Sequence, residues 1–174
     1  MIKIVESFIT EEIILKRNKW ENDDAIKHFT TPNFKEEPLP LRKFETTYIE
    51  SILRIEEPTL YDYLIYSDDE LIGECNIVVN SDELLKSSPD SAWVGLLIGE
   101  EDYRGKGIGK TVMEFLESEC VRLNMKRIEL GVFEFNYIAI KLYKALGYKV
   151  FDELNDFTYF ESAWHKDLRL EKIL

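Results

Sequence analysis

The most informative segment of the chain is Arg104-Gly105-Lys106-Gly107-Ile108-Gly109-Lys110-Thr111, which lies between a predicted buried strand and a predicted amphipathic helix. Glycines allow a turn whose successive N–H groups point the same way, and the start of a helix adds about half a positive charge. Such a turn suits the oxygens of a phosphate group. We therefore predict that the segment binds a diphosphate, although a tight turn without a ligand can have the same local pattern.

The glycine spacing does not match two common nucleotide-binding motifs. A P-loop requires a glycine five residues before Gly109, and that position is Arg104. The dinucleotide fingerprint requires a glycine at position 110 or 112, and these residues are Lys110 and Val112. A phosphotransferase that uses Gly109-Lys110-Thr111 is therefore a minor alternative, which stabilisation by ATP with magnesium would support.

Hydrophobic periodicity predicts regular elements on both sides of this turn. Apolar residues recur at helical spacing over 108–123, and 92–98 and 128–132 are typical of buried strands. A second helix is expected between Asn136, a favourable N-cap, and Gly147, a favourable C′ residue. The turn is thus expected to lie within a strand–helix–strand–helix unit.

The remaining segments predict further strands and short helices. Thr10 can cap a following turn or helix, and residues 31–40 form a loop because they include three prolines. The other expected elements are a strand at 2–8, helices near 22–26 and 43–55, a hairpin of 60–66 with 71–79, and strands 148–151 and 158–164 around Asn155-Asp156. This order predicts an α/β (α+β) fold with a mixed sheet and helices on both faces.

The charge, the cysteine and histidine positions and the short apolar stretches exclude several classes of partner and site. The chain has 174 residues and a formal net charge of −12, with most of the negative charge in residues 1–90, so nucleic acids and membrane surfaces are not expected partners. Cys75 and Cys120 are far apart in sequence, His28 and His165 have no partner at ligand spacing, and we predict neither a disulfide nor a metal site. The longest apolar stretch, 92–99, is too short to span a membrane, and we expect a cytoplasmic protein with one domain, 1–174.

Two motifs resemble the GNAT (GCN5-related N-acetyltransferase) superfamily. Residues 104–109 match its Arg/Gln-x-x-Gly-x-Gly/Ala signature. The segment Asn136-x-x-Ala139-x-x-Leu142-Tyr143-x-x-x-Gly147-Tyr148 is similar to the family's Asn-x-x-Ala-x-x-Leu-Tyr-x-x-x-Gly-Phe helix, with Tyr in the last place. The resemblance covers roughly residues 92–152 and implies a mostly antiparallel sheet with one splayed parallel strand pair.

The resemblance implies acetyl-CoA as cosubstrate, and it implies positions for binding it. The strand 92–98 would diverge from 128–132, and the pantetheine arm would pair with its backbone. The residues expected to bind the cofactor are Leu96, Leu97 and Ile98 for the arm, Arg104 with the amides of Gly105, Lys106, Gly107, Ile108, Gly109 and Lys110 for the diphosphate, and Asn136 and Tyr143 near the arm and thioester.

The resemblance also implies an N-acetyltransferase that moves the acetyl group directly to a primary amine of a small molecule or peptide. Tyr143 matches the family's general acid, and a phenol is protonated at neutral pH. A carboxylate must take the proton of the ammonium, and Glu100 and Glu74 are the candidates. A backbone N–H near Ile98 would stabilise the oxyanion, whereas an acetyl-cysteine intermediate is not expected.

The acidic first half favours a cationic acceptor. A homodimer is a further candidate assembly. A catalytically silent acyl-CoA-binding module is the alternative function, although a pure binder would not need Tyr143.

Overall fold

The computed structural model describes residues 1–43, 45, 59–86 and 88–174. These residues contain a seven-stranded sheet with the order β1-β2-β3-β4-β5-β7-β6. The strands are β1 (Ile2–Glu6), β2 (Leu60–Ser67), β3 (Glu70–Val79), β4 (Ser91–Ile98), β5 (Arg127–Phe133), β6 (Lys149–Phe160) and β7 (Ala163–Ile173). Only β4 and β5 pair in parallel within this sheet. The predicted mixed, mostly antiparallel α/β fold is confirmed.

Helices cover the sheet on both faces: α1 (Glu11–Glu21), α2 (Lys27–Thr30), α3 (Ile108–Arg122) and α4 (Tyr137–Ala145). Thr10 caps α1 as expected, because its hydroxyl accepts a hydrogen bond from the amide of Ile13 at 3.2 Å. The predicted helix near 22–26 is wrong, since the chain turns there and α2 begins only at Lys27. The predicted helix at 43–55 lies almost entirely outside the described residues.

The end of the chain differs from the sequence prediction. Asn155-Asp156 does not reverse the chain, because Asp156 lies in β6 where the pairing with β7 shifts register. The reversal is at Glu161 and Ser162, which both have positive φ, and β7 then continues to Ile173. The polar residues at 155–156 therefore mark an irregularity within a strand, and the prediction missed most of β7.

Two hydrophobic clusters hold the helices on the sheet. The larger one packs α3 and α4 on one face, which we call the α3 face, and it includes the buried Cys75 and Cys120. The smaller one packs α1 on the opposite face, the α1 face, through Ile13 and Trp20 against Leu64 and its neighbours. No helix in the described ranges is long and apolar enough to cross a membrane.

Candidate active site

The two central strands separate part-way along their length. β4 and β5 pair at only three positions, of which Trp93 with Glu129 is the last. Beyond that pair β4 stays bonded to β3 as far as Ile98, and β5 stays bonded to β7 as far as Phe133. The sheet therefore has a notch between β4 and β5, bordered by main chain on both sides.

The main-chain groups of alternate β4 residues face this notch. The carbonyl of Ser91 accepts from the amide of Asn80, and the amide of Gly99 donates to the carbonyl of Ile72, so the odd-numbered residues bond to β3. Successive residues of a strand point their hydrogen-bonding groups to opposite sides. Leu96 therefore presents its amide and carbonyl to the notch, and Ile98 presents its amide, because the Ile98 carbonyl accepts from Nε of Arg104 at 3.1 Å. The peptide groups of Leu97 point to β3.

The glycine turn lies at the start of α3 and has the conformation of an anion cradle. Gly105 and Gly107 have φ of 73° and 80°, and an added Cβ at either would meet no atom within 4 Å. Among the amides of 105–110, that of Lys110 donates to the carbonyl of Gly107 at 3.1 Å. No acceptor in the described residues bonds to the other five. These donors and the helix N-terminus fit a diphosphate.

Close packing places this cradle beside the notch. A Cβ at Gly109 would lie 3.0 Å from Cδ2 of Leu142 on α4 and 3.7 Å from Cδ2 of Leu96 on β4. A Cβ at position 109 would be tight against Leu142 and in ordinary van der Waals contact with Leu96, so the first turn of α3 packs closely on both elements. As a result the cradle, β4 and α4 meet at one end of the notch.

The guanidinium of Arg104 is engaged by groups of the protein itself. Its guanidinium donates to the carbonyls of Ile98 at 3.1 Å and Gly99 at 2.6 Å, and it lies 3.3 Å from a carboxylate oxygen of Asp23. The side chain expected to hold a diphosphate thus binds the end of β4 and links it to the segment after α1. Lys106 and Lys110 remain as the basic side chains of the cradle.

Tyr143 is half-buried on α4, and its ring centroid is 5.9 Å from that of Tyr148. Burial raises the pKa of Tyr143 to about 12, so its phenol is protonated at neutral pH. No group in the described residues hydrogen-bonds to its hydroxyl.

Asn136 caps α4 by accepting from the amide of Ala139 at 3.2 Å, which occupies its side-chain oxygen.

The carboxylate of Glu100 anchors α1 to the end of β4. It accepts from Lys16 at 2.9 Å, Lys19 at 2.8 Å and the indole of Trp20 at 3.1 Å. Burial acts to raise the pKa of Glu100, but the hydrogen bonds from Lys19, Lys16 and Trp20 outweigh it and lower the pKa to about 2. At neutral pH this carboxylate has little tendency to accept a proton.

Glu74, on β3, is also paired with α1. Nε of Arg17 lies 2.7 Å from its Oε2, and the same guanidinium lies 2.5 Å from Asp62. Burial raises the pKa of Glu74 to about 7, although Arg17 opposes the shift. Of the two expected bases, Glu74 therefore has the pKa better suited to accepting a proton.

Neither cysteine has the properties of a nucleophile. Burial raises the pKa of the Cys75 thiol well above its ordinary value and that of Cys120 to about 12. A thiolate is therefore scarce at both positions at neutral pH.

The described residues also contain no group of three or more His, Cys, Asp and Glu side chains that could hold a metal ion.

Sequence reasoning missed two polar groups that lie over the strands bordering the notch. On the α1 face, an added Cβ at Gly95 of β4 would lie 2.8 Å from Oδ1 of Asn76, and one at Gly131 of β5 would lie 2.9 Å from Oδ2 of Asp167. The sequence signal for Asp167 is that charged Asp167 and Arg169 alternate with Leu168 and Leu170, which is typical of a strand. It was missed because the predicted strand ended at residue 164.

Comparison with known proteins identifies the family to which a chain with this open strand pair and glycine cradle belongs. The family model of the acetyltransferase (GNAT) family matches residues 19–148. The chain belongs to this family.

Individual relatives are more distant. The chain is 38% identical over 64 residues to a spermine/spermidine N(1)-acetyltransferase of Bacillus subtilis, covering 36% of this chain and 42% of that protein. The match thus spans less than half of the relative's length. Among solved structures, spermidine N-acetyltransferase from Vibrio cholerae in complex with CoA and spermine aligns with a TM-score of 0.77 and 17% identity, covering 99% of this chain and 95% of that one. An N-acetyltransferase from Staphylococcus aureus aligns with a TM-score of 0.76 and 16% identity, covering 99% and 98%.

Proposed function

We propose that this GNAT family member is an acetyl-CoA-dependent N-acetyltransferase that acts on a primary amine. The observation that carries the proposal is the opening of β4 from β5 after Trp93, next to a turn in which the amides of 105–109 bond to no acceptor in the described part of the chain. A strand-like ligand arm could pair with the exposed edge of β4 while its phosphates rest on the turn. No nucleotide-binding motif explains both features.

Residues on three elements would hold the cosubstrate. The amides of 105–109 would bind the diphosphate, with Lys106 and Lys110 adding positive charge. The amide and carbonyl of Leu96 and the amide of Ile98 would bond the pantetheine arm, since the Ile98 carbonyl already accepts from Arg104. The side-chain NH₂ of Asn136, which follows β5, would contact the arm from the other side of the notch. Acetyl-CoA supplies a thioester, whose acetyl group an amine can take directly.

Tyr143 is the proposed general acid. Its protonated phenol lies on α4, the helix that contacts the cradle through Leu142, and no group in the described residues hydrogen-bonds to its hydroxyl. A proton given to the departing sulfur would prevent the reverse attack by a thiolate. Of the two glutamates expected as base, Glu74 fits the role better than Glu100, whose carboxylate is bound by two lysines and an indole.

The proposed acceptor is a cationic amine. The formal net charge of −12 favours cations, and the Bacillus subtilis relative is a spermine/spermidine N(1)-acetyltransferase. The Vibrio cholerae structure contains spermine with CoA. Polyamines are therefore the first compounds to test, followed by peptide amines.

Thermal shift and calorimetry with CoA, acetyl-CoA and ATP with magnesium test the first half of the proposal. Thiol release from acetyl-CoA with spermidine, spermine, ornithine and peptide amines tests the second half. We expect CoA to stabilise the protein and at least one amine to release thiol. Binding of CoA without thiol release for any amine would favour the silent binding module, and stabilisation by ATP alone would favour a phosphotransferase.

A further inference from the structure

The carboxylate of Asp167 lies at the edge of the notch, on the α1 face of the sheet. An added Cβ at Gly131 would lie 2.9 and 3.0 Å from its two oxygens and 3.0 Å from the Trp93 ring. Gly131 is two residues past Glu129, the last β5 residue that pairs with β4. The carboxylate therefore lies over the main chain at the point where the two strands begin to separate.

Neighbouring strands fix this position. Asp167 is opposite Phe133 in the β5–β7 pairing, so its side chain shares the α1 face with Gly131. Nε of Arg169 lies 2.7 Å from Oδ2 of Asp167, while Nη1 of Arg169 donates to the carbonyl of Glu83 at 3.0 Å. The guanidinium also lies 4.8 Å from the ring of Trp93. No donor in the described ranges hydrogen-bonds to Oδ1 of Asp167.

We propose that Asp167 binds the ammonium group of the acceptor at the notch and takes the proton that its nitrogen must lose before acetyl transfer. The inference rests on the proposed function and adds the base to it. Arg169 is the positioning residue, because its Nε holds Oδ2 while no donor in the described residues holds Oδ1.

The proton and electron balance is as follows. The ammonium gives one proton to Asp167, and the freed lone pair of the nitrogen forms the bond to the acetyl carbon. The carbon–sulfur bond breaks with its electron pair on sulfur, which takes a proton from Tyr143. The nitrogen loses its second excess proton through water to the phenolate, and Asp167 releases its proton to solvent. One ammonium and one thioester thus give one amide, one thiol and one proton.

Position favours Asp167 over the two glutamates. Glu74 lies on β3, with β4 between it and the notch, and Glu100 follows the end of β4. Asp167 instead lies on the strand next to β5 and reaches over Gly131, which borders the notch. The amine would approach from the α1 face, opposite Tyr143 on the α3 face.

The charges around Asp167 suit a proton acceptor. Burial raises the pKa of Asp167 to about 6; Arg169 opposes this shift, and the negative charges of Glu83 and Glu129 add to it. The group is thus ionised at neutral pH and becomes protonated as the pH falls through about 6. The rate of acetyl transfer should fall with it.

The test compares Asp167→Asn with Asp156→Asn, the same chemical change at an exposed position of β6. We measure kcat/KM for spermidine against pH, the Kd for CoA, and the titration of the Asp167 carboxyl by NMR in the ligand-free protein. We expect the wild type to lose activity below about pH 6, Asp167→Asn to lose about 100-fold or more in kcat/KM, and its CoA affinity and the Asp156→Asn variant to stay unchanged.

A second variant covers the case in which Asp167→Asn fails to fold because Arg169 loses its partner. Gly131→Ala puts a methyl group against both carboxylate oxygens, and we expect lower kcat/KM with CoA affinity retained. Wild-type kcat/KM in either folded variant, or a carboxyl that titrates near pH 4, would overturn the role of Asp167 alone. Absence of thiol release by the wild type with every amine would overturn the proposed function as well.

Discussion

The substitution Gly107→Glu puts a side chain and a negative charge into the proposed diphosphate cradle. Gly107 precedes α3 with φ of 80°, and an added Cβ would meet no atom within 4 Å, so the glutamate can extend into the space above the free amides. A carboxylate about 5 Å from a phosphate charge, at an effective dielectric constant of about 20, repels it by about 3 kcal/mol. This corresponds to a rise in the Kd for CoA of about 100-fold or more.

The matched control is Gly147→Glu. Gly147 follows α4 with φ of 91°, and an added Cβ there also meets no atom within 4 Å. A non-glycine residue in the left-handed region costs about 1–2 kcal/mol in either variant. Both should therefore show a similar drop in Tm, whereas calorimetry should detect weaker CoA binding only in Gly107→Glu. Equal CoA affinity in the two variants would refute the placement of the diphosphate.

Two further predictions concern Tyr143 and Glu100. Tyr143→Phe should lower kcat for thiol release by about 100-fold and leave the Kd for CoA unchanged, because it removes one proton donor; an unchanged kcat would exclude Tyr143 as the acid. Glu100→Gln should lower the free energy of unfolding in urea by about 1–3 kcal/mol at pH 7, because it breaks the contacts with Lys16 and Lys19. Since folding lowers the pKa of Glu100 to about 2, this stabilisation is present above the ordinary value of about 4.3 and is lost as the pH falls toward 2. A urea midpoint that is the same in wild type and variant at pH 7 would contradict the anchoring role.

Local patterns in the sequence are sufficient to predict the helices on both sides of the cradle. The apolar periodicity of 108–123, the N-cap at Asn136 and the C′ glycine at 147 depend on neighbours within a few residues, and the structure has α3 and α4 at those places. The 60–79 hairpin and the cap at Thr10 were predicted on the same basis and are confirmed. Interactions of this kind can be read along the chain because both partners are close in sequence.

The features that sequence reasoning missed depend on partners far apart in sequence. The sequence offers Glu100 as a candidate base, and it gives no sign that the carboxylate lies against lysines of α1 about 80 residues away. Asp167 reaches the notch through the pairing of β7 with β5 and through the missing side chain at Gly131, neither of which a local pattern reveals. Arg104 looked like a phosphate ligand because of its position in the motif, but its guanidinium binds the end of β4.

A crystal structure with acetyl-CoA tests the central claim most directly. We predict that the diphosphate lies against the amides of residues 105–109 and that the pantetheine arm runs along Leu96 and Ile98 in the opening between β4 and β5. A diphosphate bound elsewhere on the protein, or an arm that leaves this opening empty, would contradict the assignment.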